Sequence, residues 1–196
     1  IMPNWCCCTL NISGDKRERN KFKEFAKGKT RRGDLKVLCE DKFIPYPKLW
    51  ADMDRDYPGN GKVKYGTKEY DIKLAKYKKK YGKDKDGFNS GGYEWCKENY
   101  GTKWGFCDPQ IALDSKYDLE YSFESAWSPP EPLIKKMSEM FPKLEFSLTY
   151  DEPGNCYGGE TTFAKGKIKS ETFLESKEYL ENIKKNNPDL YKETYR

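Results

Sequence analysis

Alternation with a period of two is the feature that most restricts this chain. Tyr117, Leu119, Tyr121 and Phe123 alternate with Asp118, Glu120, Ser122 and Glu124; Leu144, Phe146, Leu148 and Tyr150 alternate with Glu145, Ser147, Thr149 and Asp151. Successive side chains of a strand point to opposite faces, so each segment predicts a strand with one face in a core and one outside. Cys6, Cys8, Leu10 and Ile12, set against Cys7, Thr9, Asn11 and Ser13, repeat the rhythm. Such strands need cover on one side only, which points to an antiparallel sheet with helices on one face.

The intervening segments supply those helices. Asp15 and Glu18 have capping-box spacing and predict a helix to about Lys27, ended by Gly28 and burying Phe22, Phe25 and Ala26. Ser128 and Glu131 repeat that spacing, Pro129 suits a first helical position, and Leu133, Ile134, Met137 and Met140 form an apolar stripe closed by Phe141 and Pro142. Leu35, Val37 and Cys39 predict a further strand. Tyr157 to Phe163 and Lys167 to Ser170 read as a hairpin through Lys165 and Gly166. Thr172 with Glu175 is expected to cap a last helix carrying Phe173, Leu180 and Ile183, ending before Pro188. The order β-α-β, insertion, β-α-β, hairpin, helix predicts an α+β, ferredoxin-like fold.

At 196 residues the chain suits one domain, expected over residues 1–170 with an insertion at about 48–94, followed by a C-terminal helix and tail at 171–196. Inside the insertion, Tyr70, Leu74, Tyr77 and Tyr81 recur at helical spacing, while Lys73, Lys76, Lys78, Lys79 and Lys80 occupy the other faces. Between Lys62 and Lys85, ten lysines face three acids, a local charge of +7, so the rest of the chain carries −2 of the net +5. A solvated basic face and a phosphate-binding face are both open readings of that helix.

The sequence has no histidine, which removes histidine triads and the commonest neutral zinc ligand. Its seven cysteines include no C-x-x-C, and on a strand Cys6 and Cys8 face away from Cys7, so reduced, mostly buried thiols are expected, with no metal and no cofactor. No apolar run approaches the roughly 20 residues that cross a bilayer. The expected location is the cytosol, with no membrane partner.

Six blocks carry a resemblance: MPNWC (2–6), LNISG (10–14), FIPYP (43–47), ENYGTKW (98–104), AWSPP (126–130) with Pro132, and FPKLEFSLTYDEPG (141–154). Together they resemble the YubB-like, Api-type ferredoxin-like family of phages, plasmids and other mobile elements. The resemblance implies the same fold and a mobile-element origin, and it brings no established activity. The family often has an acid directly after the block ending at Trp104; Gly105 stands there in this chain, and the nearest acid is Asp108.

Two sets of candidate residues follow. Asn4, Trp5, Lys103, Trp104, Trp127 and Glu152 are candidates for a tryptophan-lined pocket. Lys73, Lys76, Lys78, Lys79 and Lys80, with the outward Asp118, Glu120, Glu124 and Glu145, are candidates for partner binding. Single-strand RNA readers on this fold stack bases on rings projecting from the open sheet face, where this chain places carboxylates. No catalytic constellation emerges. The expectation is a non-enzymatic protein of phage or mobile-element origin that binds a host protein or ribonucleoprotein complex, such as a CRISPR effector that it inhibits. The alternative is a nucleic-acid-binding module using the basic helix. No oligomeric state is assigned.

Overall fold

The computed structural model describes residues 4–30, 33–61 and 63–195; Met2 and Pro3 of the first block and Lys62 of the basic run lie outside the described residues. In chain order the first elements are β1 (Trp5–Ser13), α1 (Lys16–Ala26), β2 (Gly28–Lys29), β3 (Leu35–Lys36), α2 (Lys48–Asp56), α3 (Lys68–Tyr81) and α4 (Gly92–Tyr100). Then follow β4 (Cys107–Asp114), β5 (Asp118–Ala126), α5 (Glu131–Met140), β6 (Glu145–Glu152), β7 (Tyr157–Ala164), β8 (Lys167–Glu175), α6 (Ser176–Asn186) and α7 (Pro188–Tyr195).

Six of these strands form one antiparallel sheet in the order β4-β5-β1-β6-β7-β8. Because α5 crosses from β5 to β6, those two strands flank β1 in a split βαβ unit, and the expected ferredoxin-like α+β architecture holds. The register aligns Leu10 with Tyr121 and Leu148, and Ile12 with Leu119 and Phe146. These rows form the floor of the core, and all six side chains are buried.

The helices close that floor from one side. From α1, Phe22 lies 5.3 Å from the Phe146 ring and 5.1 Å from Phe141, and α5 contributes Leu133, Ile134 and Met137, all fully buried. Each such side chain adds about 1.5–3 kcal/mol of burial. Buried Arg19 on α1 donates to Gly14 O and Lys116 O, which ties the helix to the β4–β5 turn.

The stripe helix of the insertion forms as α3. Thr67 caps it through Tyr70 N, Gly82 ends it in the left-handed region at φ 65°, and Tyr70 and Tyr77 are its buried residues. It is tied to α2 by Tyr81 Oη and Lys80 Nζ, which donate to Asp56 at 2.7 and 2.8 Å.

Several local expectations are corrected. Tyr117 precedes β5 and is 71% exposed, because Ser115 Oγ accepts from Tyr117 N and Asp118 N in a turn. Asp15 does cap α1, through Arg17 N, but Glu18 pairs with Lys21 instead of closing the box. Leu35 is 80% exposed on the two-residue β3, which pairs with β2 outside the main sheet, while the adjacent Leu38 and Cys39 are buried. Helix α5 starts after Pro130, so Ser128 Oγ donates to Gly101 O and Glu131 accepts from Thr161; Met140 is exposed. Strand β8 runs through Thr172 and the half-exposed Phe173, and a further helix, α7, starts at Pro188, where the last helix is expected to have ended. Strand β4 and helices α2 and α4 are additions to the expected elements.

Candidate functional site

The open face of the sheet is acidic. Asp118, Glu120, Glu124, Glu145 and Asp151 all lie on it at half-buried positions, beside exposed Cys7, Thr149 and Glu160. Two of these acids have partners: Glu145 is paired with Lys169, and Asp151 accepts from Tyr179 of α6 at 2.7 Å. At the centre a shallow hollow of about 580 Å³ is lined by Cys7, Thr9, Asp108, Gln110, Ser122, Glu124, Thr149 and Asp151. Cys7 stands opposite both Glu124 and Asp151, and burial followed by those two carboxylates raises its thiol pKa. On the three central strands Tyr121, Phe123, Phe146 and Tyr150 point to the core side, and Trp5, at the very start of β1, is the ring that shares the parity of Cys7 on this face.

A deeper cleft opens at the sheet end where β1 starts. Its volume is about 450 Å³, and Trp5, Tyr100, Trp104 and Phe106 supply aromatic walls. The Trp5 and Trp104 rings lie 6.0 Å apart. Asp34, Glu40, Asp41 and Asp108 also line it, and among the described residues Lys36 is the one cation in its wall. Lys36 Nζ lies 3.1 Å from both Glu40 carboxylate oxygens and also donates to Phe106 O. Burial raises the Glu40 pKa, and Lys36 holds that rise back. Gly105, at φ 74°, packs on Glu40: a Cβ there would come within 2.9 Å of Glu40 Cγ, so the position after Trp104 has no room for an acid. Asp41 accepts from Tyr46 N and from Tyr100 Oη, both at 3.0 Å. Burial pushes the Cys107 thiol up to about 11, which leaves it protonated and unreactive at neutral pH.

A second hollow, of about 290 Å³, is lined by Phe88, Asn89, Gly91, Tyr93, Glu94, Lys103 and Trp127. Lys103 Nζ sits 4.4 Å from the Trp104 ring centroid, 5.0 Å from Trp127 and 5.9 Å from Tyr93. Trp104 therefore links the two hollows.

The six pocket candidates thus gather at one end of the molecule but split in role. Trp5 and Trp104 wall the cleft, whereas Lys103 and Trp127 belong to the second hollow. Asn4 is a positioning residue: its carbonyl accepts from Trp127 N at 3.0 Å. Glu152 lines neither hollow; it is fully buried, and its Oε2 accepts from Asn155 N at 2.6 Å, which closes the turn after β6. Lys36, Glu40, Asp41, Tyr100 and Cys107 are cleft residues that the sequence did not mark. The adjacent acids Glu40 and Asp41 beside an expected strand were the one available signal.

On α3, Lys73, Lys76, Lys78, Lys79 and Lys80 are all exposed, as the tyrosine stripe required. Lys73 pairs with Glu69 and Lys80 with Asp56. Among the described residues no group of three cysteine or carboxylate side chains is placed to hold a metal ion. Cys6 and Cys8 lie together in the core, with Sγ atoms 3.9 Å apart, and Cys7 faces the other way. No helix of the described residues is long and apolar enough to cross a membrane.

Comparison with known proteins agrees with this architecture. A family model for the ferredoxin-like domain in Api92-like proteins matches residues 88–192. The crystal structure of protein api92 from Yersinia pseudotuberculosis is similar at a TM-score of 0.53 and 14% identity, over 89% of this chain and 99% of that one. At that identity the likeness concerns the fold alone. No curated protein matches the sequence.

Proposed function

The chain belongs to the ferredoxin-like domain family of Api92-like proteins, and we propose that it is a non-enzymatic binding protein whose acidic surface docks on a basic groove of a host macromolecule. One observation carries this reading. Asp108 lines both the hollow on the open sheet face and the aromatic cleft, so the two form one acidic surface. Among the described residues six carboxylates, Asp34, Glu40, Asp41, Asp108, Glu124 and Asp151, line it with one lysine.

Charge of one sign on a concave surface steers an opposite charge toward it and penalises like-charged partners. The cleft suits a basic side chain, since its aromatic walls attract a cation through their π faces while the acids neutralise it. Basic grooves on cytosolic proteins are most often seats for nucleic acid, so a nucleic-acid-handling complex is the favoured target class. A mobile-element origin and inhibition of a defence complex such as a CRISPR effector fit that class, and they belong to this proposal.

The test is affinity capture from a bacterial lysate with the wild-type protein and with a Glu120→Lys/Glu124→Lys variant, followed by competition with a polyanion. A partner retained by the wild type, released by the polyanion and lost from the variant supports the reading. Identical recovery by both proteins removes it.

A second reading rests on α3, whose lysines face solvent while its tyrosines dock inward. Nucleic acid held there would dissociate steeply with salt. A mobility shift at low ionic strength that disappears when Lys76, Lys78 and Lys79 become Glu would support it, and no shift would exclude it.

A further inference from the structure

Lys103 carries a charge that no acid among the described residues answers. Its ammonium is surrounded by the Tyr93, Trp104 and Trp127 rings at 4.4 to 5.9 Å, and among the described residues it has no carboxylate within ion-pair distance. Glu94, the acid lining this hollow, is paired with Lys97 at 3.3 Å. The hollow is therefore cationic, although it lies next to an acidic cleft.

Trp127 is presented to it by a held backbone. The residue lies at φ 69°, a conformation that a bulky L side chain rarely adopts. Its N–H donates to Asn4 O, and its carbonyl accepts from Tyr157 Oη, so both sides of the strained residue are fixed. Strain that neighbouring contacts over-determine is characteristic of positions that present a group to a ligand. The residue is 37% exposed, and it borders open space of about 290 Å³, the lower end of small-ligand pockets.

We propose that this hollow binds a ring-bearing anion of the nucleoside monophosphate class, with the base stacked on Trp127 and the phosphate on Lys103. An exposed indole face can stack on any base, and an ammonium without a counter-ion donates to a phosphate oxygen. Glu94 lines the hollow and the acidic cleft lies beyond Trp104, so the following phosphates of a strand would be repelled and a free mononucleotide is favoured over nucleic acid. The site is independent of the docking surface proposed above, and either can fail alone.

The experiment is a titration of tryptophan fluorescence, backed by calorimetry, with AMP, GMP, CMP and UMP, and with adenosine, inorganic phosphate and a ten-residue oligonucleotide as comparison arms. At least one mononucleotide should saturate below about 5 mM, with adenosine and phosphate at least about tenfold weaker. Lys103→Met should weaken nucleotide binding by about tenfold or more with an unchanged melting temperature, while Lys21→Met, on α1 and paired with Glu18, should leave it unaltered. Should Lys103→Met fold poorly, Lys103→Gln gives the same comparison. Three results overturn the proposal: no saturation by any of the four nucleotides, equal binding by the Lys103 variant, or inorganic phosphate alone binding as tightly. An oligonucleotide bound about 100-fold more tightly than any mononucleotide would overturn the assignment to a free nucleotide.

Discussion

Replacing Lys36 with Met isolates the ion pair that holds the cleft wall. The Lys36 and Glu40 side chains are only 18% and 10% exposed. Burial already lifts the Glu40 pKa, and the Lys36 ammonium is the largest influence opposing that lift. With Met at position 36 the carboxylate stays enclosed and loses its cation. Breaking one side of a buried pair costs about 3–5 kcal/mol. A loss of about 3 kcal/mol is expected at pH 7, and the Glu40 pKa rises further once its cation is gone. A carboxyl group whose folded pKa is raised keeps its full contribution below the unfolded value of about 4.3 and loses it as pH climbs through the folded value. As pH falls the enclosed carboxylate takes up a proton, so the deficit should be smaller at pH 4 than at pH 7 and approach the lost bond to Phe106 O, about 1 kcal/mol. Urea unfolding at pH 4 and pH 7 measures both numbers. Adding Glu40→Gln to the Lys36→Met variant should restore about 2 kcal/mol at pH 7 by removing the stranded charge. Equal deficits at the two pH values, or a double variant no better than the single one, would refute the ion-pair account.

Other outcomes follow from the same packing and charges. Phe22→Ala should lose about 3–5 kcal/mol in urea unfolding because its ring touches four others, while Tyr117→Ser should change stability by less than about 0.5 kcal/mol. In maleimide labelling at pH 8, exposed Cys7 should react first but slowly, and faster in Glu124→Gln, since one of the carboxylates raising its pKa is then gone; first reaction at Cys39 or Cys96 would contradict the burial pattern. Asp56, lowered to about 2 by Lys80, Tyr81 and Arg55, should anchor α3 fully above the unfolded value near 3.9 and release it as pH falls through about 2. Its side chain is 28% exposed, so screening reduces the effect to about 1 kcal/mol, and Asp56→Asn should raise amide exchange in α3 by about fivefold at pH 7.

How far the sequence could be read depended on whether one face of each element is dry. Strands β1, β5 and β6 are central, so one side of each must exclude water, and the two-residue rhythm follows. Edge strand β4 has no such constraint: Pro109 interrupts it, bulges shift its register, and its pattern carries no alternation of rings and charges. Leu35, Val37 and Cys39 imitate a strand over too few residues: Cys39 is buried as that pattern requires, but Leu35 faces water and the out-of-phase Leu38 is buried. Capping-box spacing misled for a related reason, because Ser128 and Thr172 spend their hydroxyls and backbones on other partners. The tryptophans of the site were legible as unusual residues beside polar neighbours. Lys36 and Glu40 were not, because their i,i+4 spacing falls on a turn, where sequence distance carries no geometric meaning.

The separation of charge on the molecule bears on what it can approach. Among the described residues, the ion pairs of α3 end on Glu69 and Asp56, both inside the insertion, and none reaches an acid of the open sheet face. Glu145 on that face takes its lysine from β8 instead. The basic helix therefore does not neutralise the acidic surface, and the two remain available at once. A purely basic groove would attract the sheet face and repel α3, while bare nucleic acid would do the reverse. A ribonucleoprotein offers both signs side by side, with basic protein walls and exposed phosphates, and is the partner class for which neither surface is a penalty. On this argument, converting α3 lysines to Glu and sheet acids to Lys in one variant should weaken capture of such a complex by more than either change alone, and a variant with only α3 altered should keep binding to the protein component freed of its RNA.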